Sequence, residues 1–329
     1  MNPRSDVTAS DDAWDDRRFD DSALWDVGTA SPDETRWAEG SADDGTMELP
    51  HDGIGTAKQS LAQRLRRRRE NATGDCLSIV VANDGGGYGK TTIALLMGME
   101  LADRRKGKVL AVDAAPGYGS LADRAGTRSE HAGTVRTAID AVHTAGAVRI
   151  RDHAMRLPSG LDVLASDNTA ADGSILTGAD YELLMQEASG QYDMIVTDCS
   201  AGITSSVSAA ALRTADALVI VSEGGGGVRS TTWLANYLTH QTDAHPHYKA
   251  LLAGAVIVVN SQHANTNTNL DTVTTFYRRI VGAVLLLGFE PSLEGGAVID
   301  PKRLSAAAWR QVRAISAAAS AAGRITARP

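Results

Sequence analysis

Cysteine is nearly absent from this 329-residue chain: Cys76 and Cys199 lie far apart, in no metal-binding or redox spacing. That excludes a disulfide scaffold and a cysteine-rich zinc site, and it suits a reducing compartment. Long apolar runs are missing too. The longest, Leu251–Val259 and Ile280–Phe289, fall well short of the roughly 18 residues a membrane span requires. The opening Met1-Asn-Pro-Arg-Ser-Asp6 is polar and then acidic, which is not the pattern of a secretory leader. A soluble, cytoplasmic protein is the expectation. The chain has no internal repeat, and its eight histidines do not cluster beyond the loop pair His245-Pro-His247.

What is present points to an α/β protein. Hydrophobic residues make up 43% of the chain and glycine fills 32 positions, enough for a sizeable core. The net charge of −8 is unevenly placed. Residues 1–52 hold fifteen acidic residues against four arginines, a net of −11, so the remainder is faintly basic at +3. This acidic stretch has no sustained periodicity and too little apolar area to offset the entropy of ordering it. A disordered tail over 1–56 is expected. Trp14, Trp25 and Trp37 nevertheless sit within it, as aromatic anchors do in short docking motifs. A protein partner bound through these tryptophans is one reading; casual packing of the tail on its own domain is the other.

From residue 57 the pattern changes to one folded domain, 57–329. A helix is expected over 57–70, ending in the arginine run Arg64–Arg69. Strands are expected at 76–82, 108–113, 161–165, 193–197, 217–221, 253–259 and 283–288. Several are continuous apolar runs, as in parallel strands covered on both faces. Helices are expected between them, near 91–104, 133–143, 178–188, 204–214, 228–240, 269–281 and 302–320. This alternation predicts a doubly wound, mostly parallel sheet. In the last helix Leu304, Ala308, Val312, Ile315 and Ala319 form a narrow stripe, better suited to packing on the sheet than to lying on a membrane. The arginine run reads as a solvated helix face balanced by the acidic tail in preference to a site for nonspecific DNA contact.

The most informative segment is Ile79-Val-Val-Ala-Asn-Asp-Gly-Gly-Gly-Tyr-Gly-Lys-Thr-Thr-Ile93. A hydrophobic strand runs into glycines, and Gly89-Lys90-Thr91-Thr92 then opens a helix. Glycines let backbone N–H groups close around phosphate oxygens, and the helix N-terminus adds partial positive charge. Lys90 is placed to reach the terminal phosphates and Thr91 to hold Mg²⁺. The strict phosphate-loop pattern asks for glycine at 84, where this chain has Asp84.

In these residues the chain resembles the ParA/MinD family of deviant Walker A ATPases, whose loop reads KGGVGKTT and aligns with Gly85–Thr92 without a gap. Lys108–Asp113 followed by Ala-Ala-Pro116 resembles the second strand and switch I. Tyr192–Gly202 resembles the strand and switch II carrying the Walker B carboxylate. Val258-Val-Asn260-Ser261 resembles the strand end that helps recognise adenine. The segments 158–166 and 289–300 are most similar to actinobacterial MinD-like proteins, some linked to type VII secretion. The resemblance covers roughly 75–329.

It implies a P-loop NTPase fold, ATP or ADP with Mg²⁺ as cofactors, and a nucleotide-dependent homodimer. Gly86, Gly87, Gly89, Lys90, Thr91 and Thr92 would cradle phosphate, Thr91 and Asp198 would hold the metal, Asp113 would be the first switch I acid, and Asn260 would face adenine. Two departures stand out. The family's lysine that reaches the partner's phosphates across the dimer is Gly85 here, and the acid two residues after Asp113 is Ala115. Both changes remove groups that stabilise phosphoryl transfer. A switch with slow hydrolysis is therefore expected, with an interaction scaffold that has little or no nucleotide cycle as the alternative. A related tyrosine kinase is rejected, because the last tyrosine is Tyr277 and no tyrosine-rich tail follows.

Overall fold

Five apolar runs become the centre of the sheet: β1 (Leu77–Ala82), β2 (Val109–Asp113), β5 (Met194–Asp198), β6 (Ala217–Glu223) and β7 (Val256–Asn260). Every residue of these strands is buried except Glu223. The computed structural model describes residues 76–326 apart from 106–107, 116–118, 128–132, 147, 167–175, 200, 224–227, 265–269 and 279. The acidic tail with its tryptophans, the helix expected over 57–70 and the arginine run all lie outside the described residues.

Short edge strands β3 (Met155–Arg156), β4 (Asp162–Leu164) and β8 (Ala283–Leu287) complete an eight-stranded sheet among the described residues, in the order β3-β4-β2-β5-β1-β6-β7-β8. All pairs are parallel except β3 with β4. The chain moves outward from β1 to β2, returns to β5, then crosses to β6 on the far side of β1. Strand order therefore reverses at β1, and a crevice opens at the carboxyl ends of the strands there.

Helices cover both faces, as continuous apolar strands require. On one face lie α1 (Lys90–Arg105), α2 (Leu121–Ala125) and α9 (Ala306–Thr326). The other carries α3 (Val135–Ala145), α4 (Gly178–Ser189), α5 (Ser206–Thr214), α6 (Val228–His240) and α7 (His247–Ala253), with Tyr277 from α8 (Leu270–Tyr277) packed among them. Thr134, Thr177 and Ser205 cap α3, α4 and α5 by accepting backbone N–H bonds from the first turn. The expected stripe of the last helix packs on the sheet: Ala308, Val312, Ile315 and Ala319 are all buried. Several boundaries moved; the strand expected from 253 starts at Val256, after the helix His247–Ala253. Pro301–Arg303 forms a separate 3₁₀ turn before α9, because Pro301 cannot extend a helix backward and Asp300 accepts from the Lys302 N–H. The helix expected to 281 ends at Tyr277.

Candidate functional site

The glycine loop joins β1 to α1 at the point where strand order reverses. Its entry is held from below by buried Asn83, whose Nδ2 donates to the Val221 carbonyl at 2.6 Å and whose Oδ1 accepts from the Gly85 N–H at 3.4 Å. Gly87 and Gly89 have φ of 80° and 89°, in the left-handed region that glycine tolerates best. A Cβ at Gly89 would also run into the Asn260 side chain. From the end of β7, Asn260 Nδ2 donates to the Tyr88 carbonyl at 2.9 Å, and Gln262 Nε2 donates to the Gly87 carbonyl. Gly202 braces the other side, its N–H donating to the Asp84 carbonyl at 3.3 Å.

Lys90 opens α1 and is buried. Its Nζ donates to the Gly85 carbonyl at 2.6 Å. Burial lowers its pKa, while the charges of Asp198 and Asp84 pull the other way. Tyr88 covers the start of the loop: a Cβ at Gly85 would overlap the Tyr88 ring. The position at which the resemblance expects a lysine is thus roofed by an aromatic side chain.

Two acids stand at adjacent strand ends. Asp113 closes β2, Asp198 closes β5, and the parallel register sets them side by side. Burial raises the Asp198 pKa, and the neighbouring Asp113 charge raises it further; the Thr91 hydroxyl and Lys90 oppose this. Its Oδ1 is buried with no hydrogen-bond partner, which is costly for a carboxylate. Asp113 is also pushed up by burial, but Leu121 and Ala115 N–H groups donate to its two oxygens at 3.1 and 3.2 Å and hold it back. Gly119 passes so close to this carboxylate that a Cβ there would overlap it. Asp113 therefore fixes Ala115 and the start of α2.

A cleft of about 390 Å³ opens beside these groups. Its floor is Gly87, Gly89, Lys90, Thr91 and Thr92. One wall is Ser120 and Arg124; the other is Asn260–His263 together with residues between Gly288 and Gly296. Of the residues expected to cradle phosphate, Gly86 is exposed in the loop and does not line the cleft, whereas the others do. The Thr91 and Ser120 hydroxyls lie 3.3 Å apart. Thr92 accepts from Arg124 Nη2 at 2.8 Å. Asn260 bonds the loop backbone and also lines the cleft.

The donor set suits a hard cation. Asp198 presents an unsatisfied carboxylate oxygen near a threonine hydroxyl, and Mg²⁺ prefers one or two such protein oxygens together with water and phosphate. Among the described residues no cluster of three His, Cys, Asp or Glu side chains could hold a metal by itself. Three participants were not anticipated from sequence: Ser120, Gln262 and Arg124. Arg124 sits in a five-residue helix with no periodic signal.

Residues 77–236 match a family described as an AAA domain. The ESX-1 secretion-associated protein EspI of Mycobacterium tuberculosis is 28% identical over 258 residues, which is 77% of this chain but 38% of that protein. The chain thus spans well under half the length of the curated relative it matches. Among solved structures, the cell division ATPase MinD of Pyrococcus furiosus superposes with a TM-score of 0.57 at 18% identity, covering 74% of this chain and 98% of MinD. The Cyanothece McdA–ATP complex superposes at 0.55 and 20% identity, covering 74% and 96%. These likenesses establish the fold. In fold this chain is similar to the MinD and McdA ATPases, and in sequence to an AAA domain and to a secretion-associated relative.

Proposed function

We propose that the cleft binds ATP or ADP with Mg²⁺, and that the protein is a nucleotide-dependent switch whose state governs dimerisation and the docking of a partner. The observation that carries this reading is the buried, unpartnered Asp198 Oδ1 beside Lys90 and the Thr91 hydroxyl. An acid left unsatisfied at a strand end, next to a lysine and a glycine loop, is an arrangement that a metal–phosphate complex completes. Mg²⁺ held by Thr91 and Asp198 would supply positive charge against the phosphate oxygens.

The chain's own groups would divide the remaining work. Loop N–H groups at the α1 N-terminus bind phosphate, and Lys90 leaves the Gly85 carbonyl to engage it. Asp113 holds Leu121 and Ala115 in place, so the loop into α2 is poised to respond to what occupies the cleft. Neither Gly85 nor Ala115 can place a charge or orient water, so hydrolysis is slow. The relative EspI carries secretion in its name; we place this switch in the cytoplasm, serving a secretion apparatus through Trp14, Trp25 and Trp37 of its tail. Replacing these three with alanine should remove a partner that the intact chain retains in a pull-down, and an unchanged partner list would count against the docking role.

A scaffold without a nucleotide cycle is favoured by one observation, the Tyr88 ring covering Gly85. Calorimetry decides between them. The switch requires Mg²⁺-dependent heat with ATP or ADP that Lys90→Ala abolishes; the scaffold gives none.

A further inference from the structure

Arg124 belongs to no motif in the sequence, yet it lines the same cleft as Lys90 and Thr92. Only 7% of the residue is exposed. Its guanidinium is held entirely by neutral oxygens: Nη2 donates to Thr92 Oγ1 at 2.8 Å and to the Leu293 carbonyl at 3.3 Å, and Nη1 donates to the Ala297 carbonyl at 2.7 Å. Among the described residues no carboxylate pairs with it. Burial presses its pKa downward, yet an arginine stays charged in a protein.

A buried cation without a counter-ion is costly, and carbonyl dipoles offset that cost only in part. The guanidinium also retains donor capacity beyond these three bonds. Its position is set from two sides. The Arg124 N–H donates to the Ser120 carbonyl at 2.9 Å, and its own carbonyl accepts from Ile299 at 2.8 Å. Asp113 fixes the start of the same short helix through Leu121. The charge is thus held at the first turn of α1, where the glycine loop already favours an anion.

We propose that Arg124 is a phosphate-binding residue: its guanidinium engages the phosphate group of a nucleoside di- or triphosphate that lies nearest Thr92, adding a second cation beside Lys90. The anion supplies the counter-charge that Arg124 lacks, and Arg124 supplies, within one chain, part of the positive charge missing at Gly85. The same guanidinium carries Leu293 and Ala297, so phosphate binding is linked to the wall of the cleft formed by residues 291–297. This inference rests on the nucleotide-binding reading above. A purely structural staple would make the same three bonds but would be indifferent to phosphate.

The test uses the full chain with Mg²⁺. ADP, ATP and inorganic pyrophosphate are titrated by calorimetry into the parent, Arg124→Gln and Arg124→Lys. Loss of a charge-assisted bond corresponds to about ten- to a hundredfold, so Arg124→Gln should weaken ADP and ATP by that factor and Arg124→Lys should recover part of it. Weakening of pyrophosphate as well as ADP would locate the effect on phosphate. If the parent binds ADP and Arg124→Gln binds it equally well, the role assigned to Arg124 is wrong while the nucleotide reading stands. If the parent binds neither nucleotide, the broader reading fails and this inference goes with it. Should Arg124→Gln not fold, ¹⁵N spectra of the arginine side chains in the parent answer the question. The Arg124 resonance should move with ADP and not with adenosine, and a resonance unmoved by saturating ADP would overturn the proposal.

Discussion

The floor and the rim of the cleft are built differently. On the floor Lys90 is buried at a helix start, and behind it, outside the cleft lining, Asp113 and Asp198 are buried at strand ends with one Asp198 oxygen left unsatisfied. At the rim, just outside the cleft lining, the positions where the resemblance expects a lysine and an acid hold Gly85 and Ala115, and the Tyr88 ring fills the space over Gly85. Burying ionisable groups, and leaving one Asp198 oxygen without a partner, opposes folding. The rim shows no such cost. The contrast is what the proposed slow switch requires: groups suited to binding phosphate and metal are present, and two groups expected to speed turnover are not.

The largest expected effect comes from breaking the floor. Lys90→Ala removes the cation nearest the glycine loop, and ATP affinity should fall by about a hundredfold or more, corresponding to roughly 3 kcal/mol for a charged hydrogen-bonding group; calorimetry reads this directly. Restoring the rim should come next. Gly85→Lys alone meets the Tyr88 ring, so it should do little. Gly85→Lys with Tyr88→Val and Ala115→Asp should raise phosphate release by about 10²–10³, the typical worth of one preorganised charge in a transition state, without simple additivity.

Asp198→Asn sharpens the comparison from the side of stability. It replaces a buried carboxyl, whose Oδ1 has no hydrogen-bond partner, by a neutral amide, so the nucleotide-free protein should become more stable by about 1–3 kcal/mol in denaturant unfolding, while Mg²⁺-dependent nucleotide binding is lost. A destabilised variant would mean that Asp198 is satisfied in the free protein.

The smallest effect concerns Glu290 on the cleft wall. Burial opposes its ionisation, yet bonds from Ser305 and Ser292 prevail and hold its pKa below the usual carboxylate value. A depressed acid contributes stability above its unfolded pKa and loses it as pH falls through the folded one. Glu290→Gln should therefore cost about 1 kcal/mol at neutral pH, and the difference in melting temperature from the parent should shrink in acid.

Most of the fold was legible because its central strands are continuous apolar runs, a pattern that parallel burial imposes and that few other structures share. The elements that escaped notice are those too short to display a period: α2 with five residues, α7 with seven and β3 with two. The glycine loop was legible for a similar reason, since its residue types are dictated locally by backbone conformation. The remainder of the site was not. That Asp113 lies beside Asp198 depends on strand order, which spacing along the chain does not give. Arg124 and Thr92 are 32 residues apart and meet only because α2 packs against α1. Gln262 reaches Gly87 across 175 residues, for the same topological reason.

Retention of nucleotide and slow turnover are both read in one single-turnover experiment. The full chain, in excess over radiolabelled ATP with Mg²⁺, is filtered at intervals, and bound ATP and ADP are measured. Label should be retained by the parent and lost in Lys90→Ala, and bound ATP should convert to ADP far more slowly than in the triple variant with Gly85→Lys, Tyr88→Val and Ala115→Asp; the slow switch is wrong if the parent converts rapidly or retains no label.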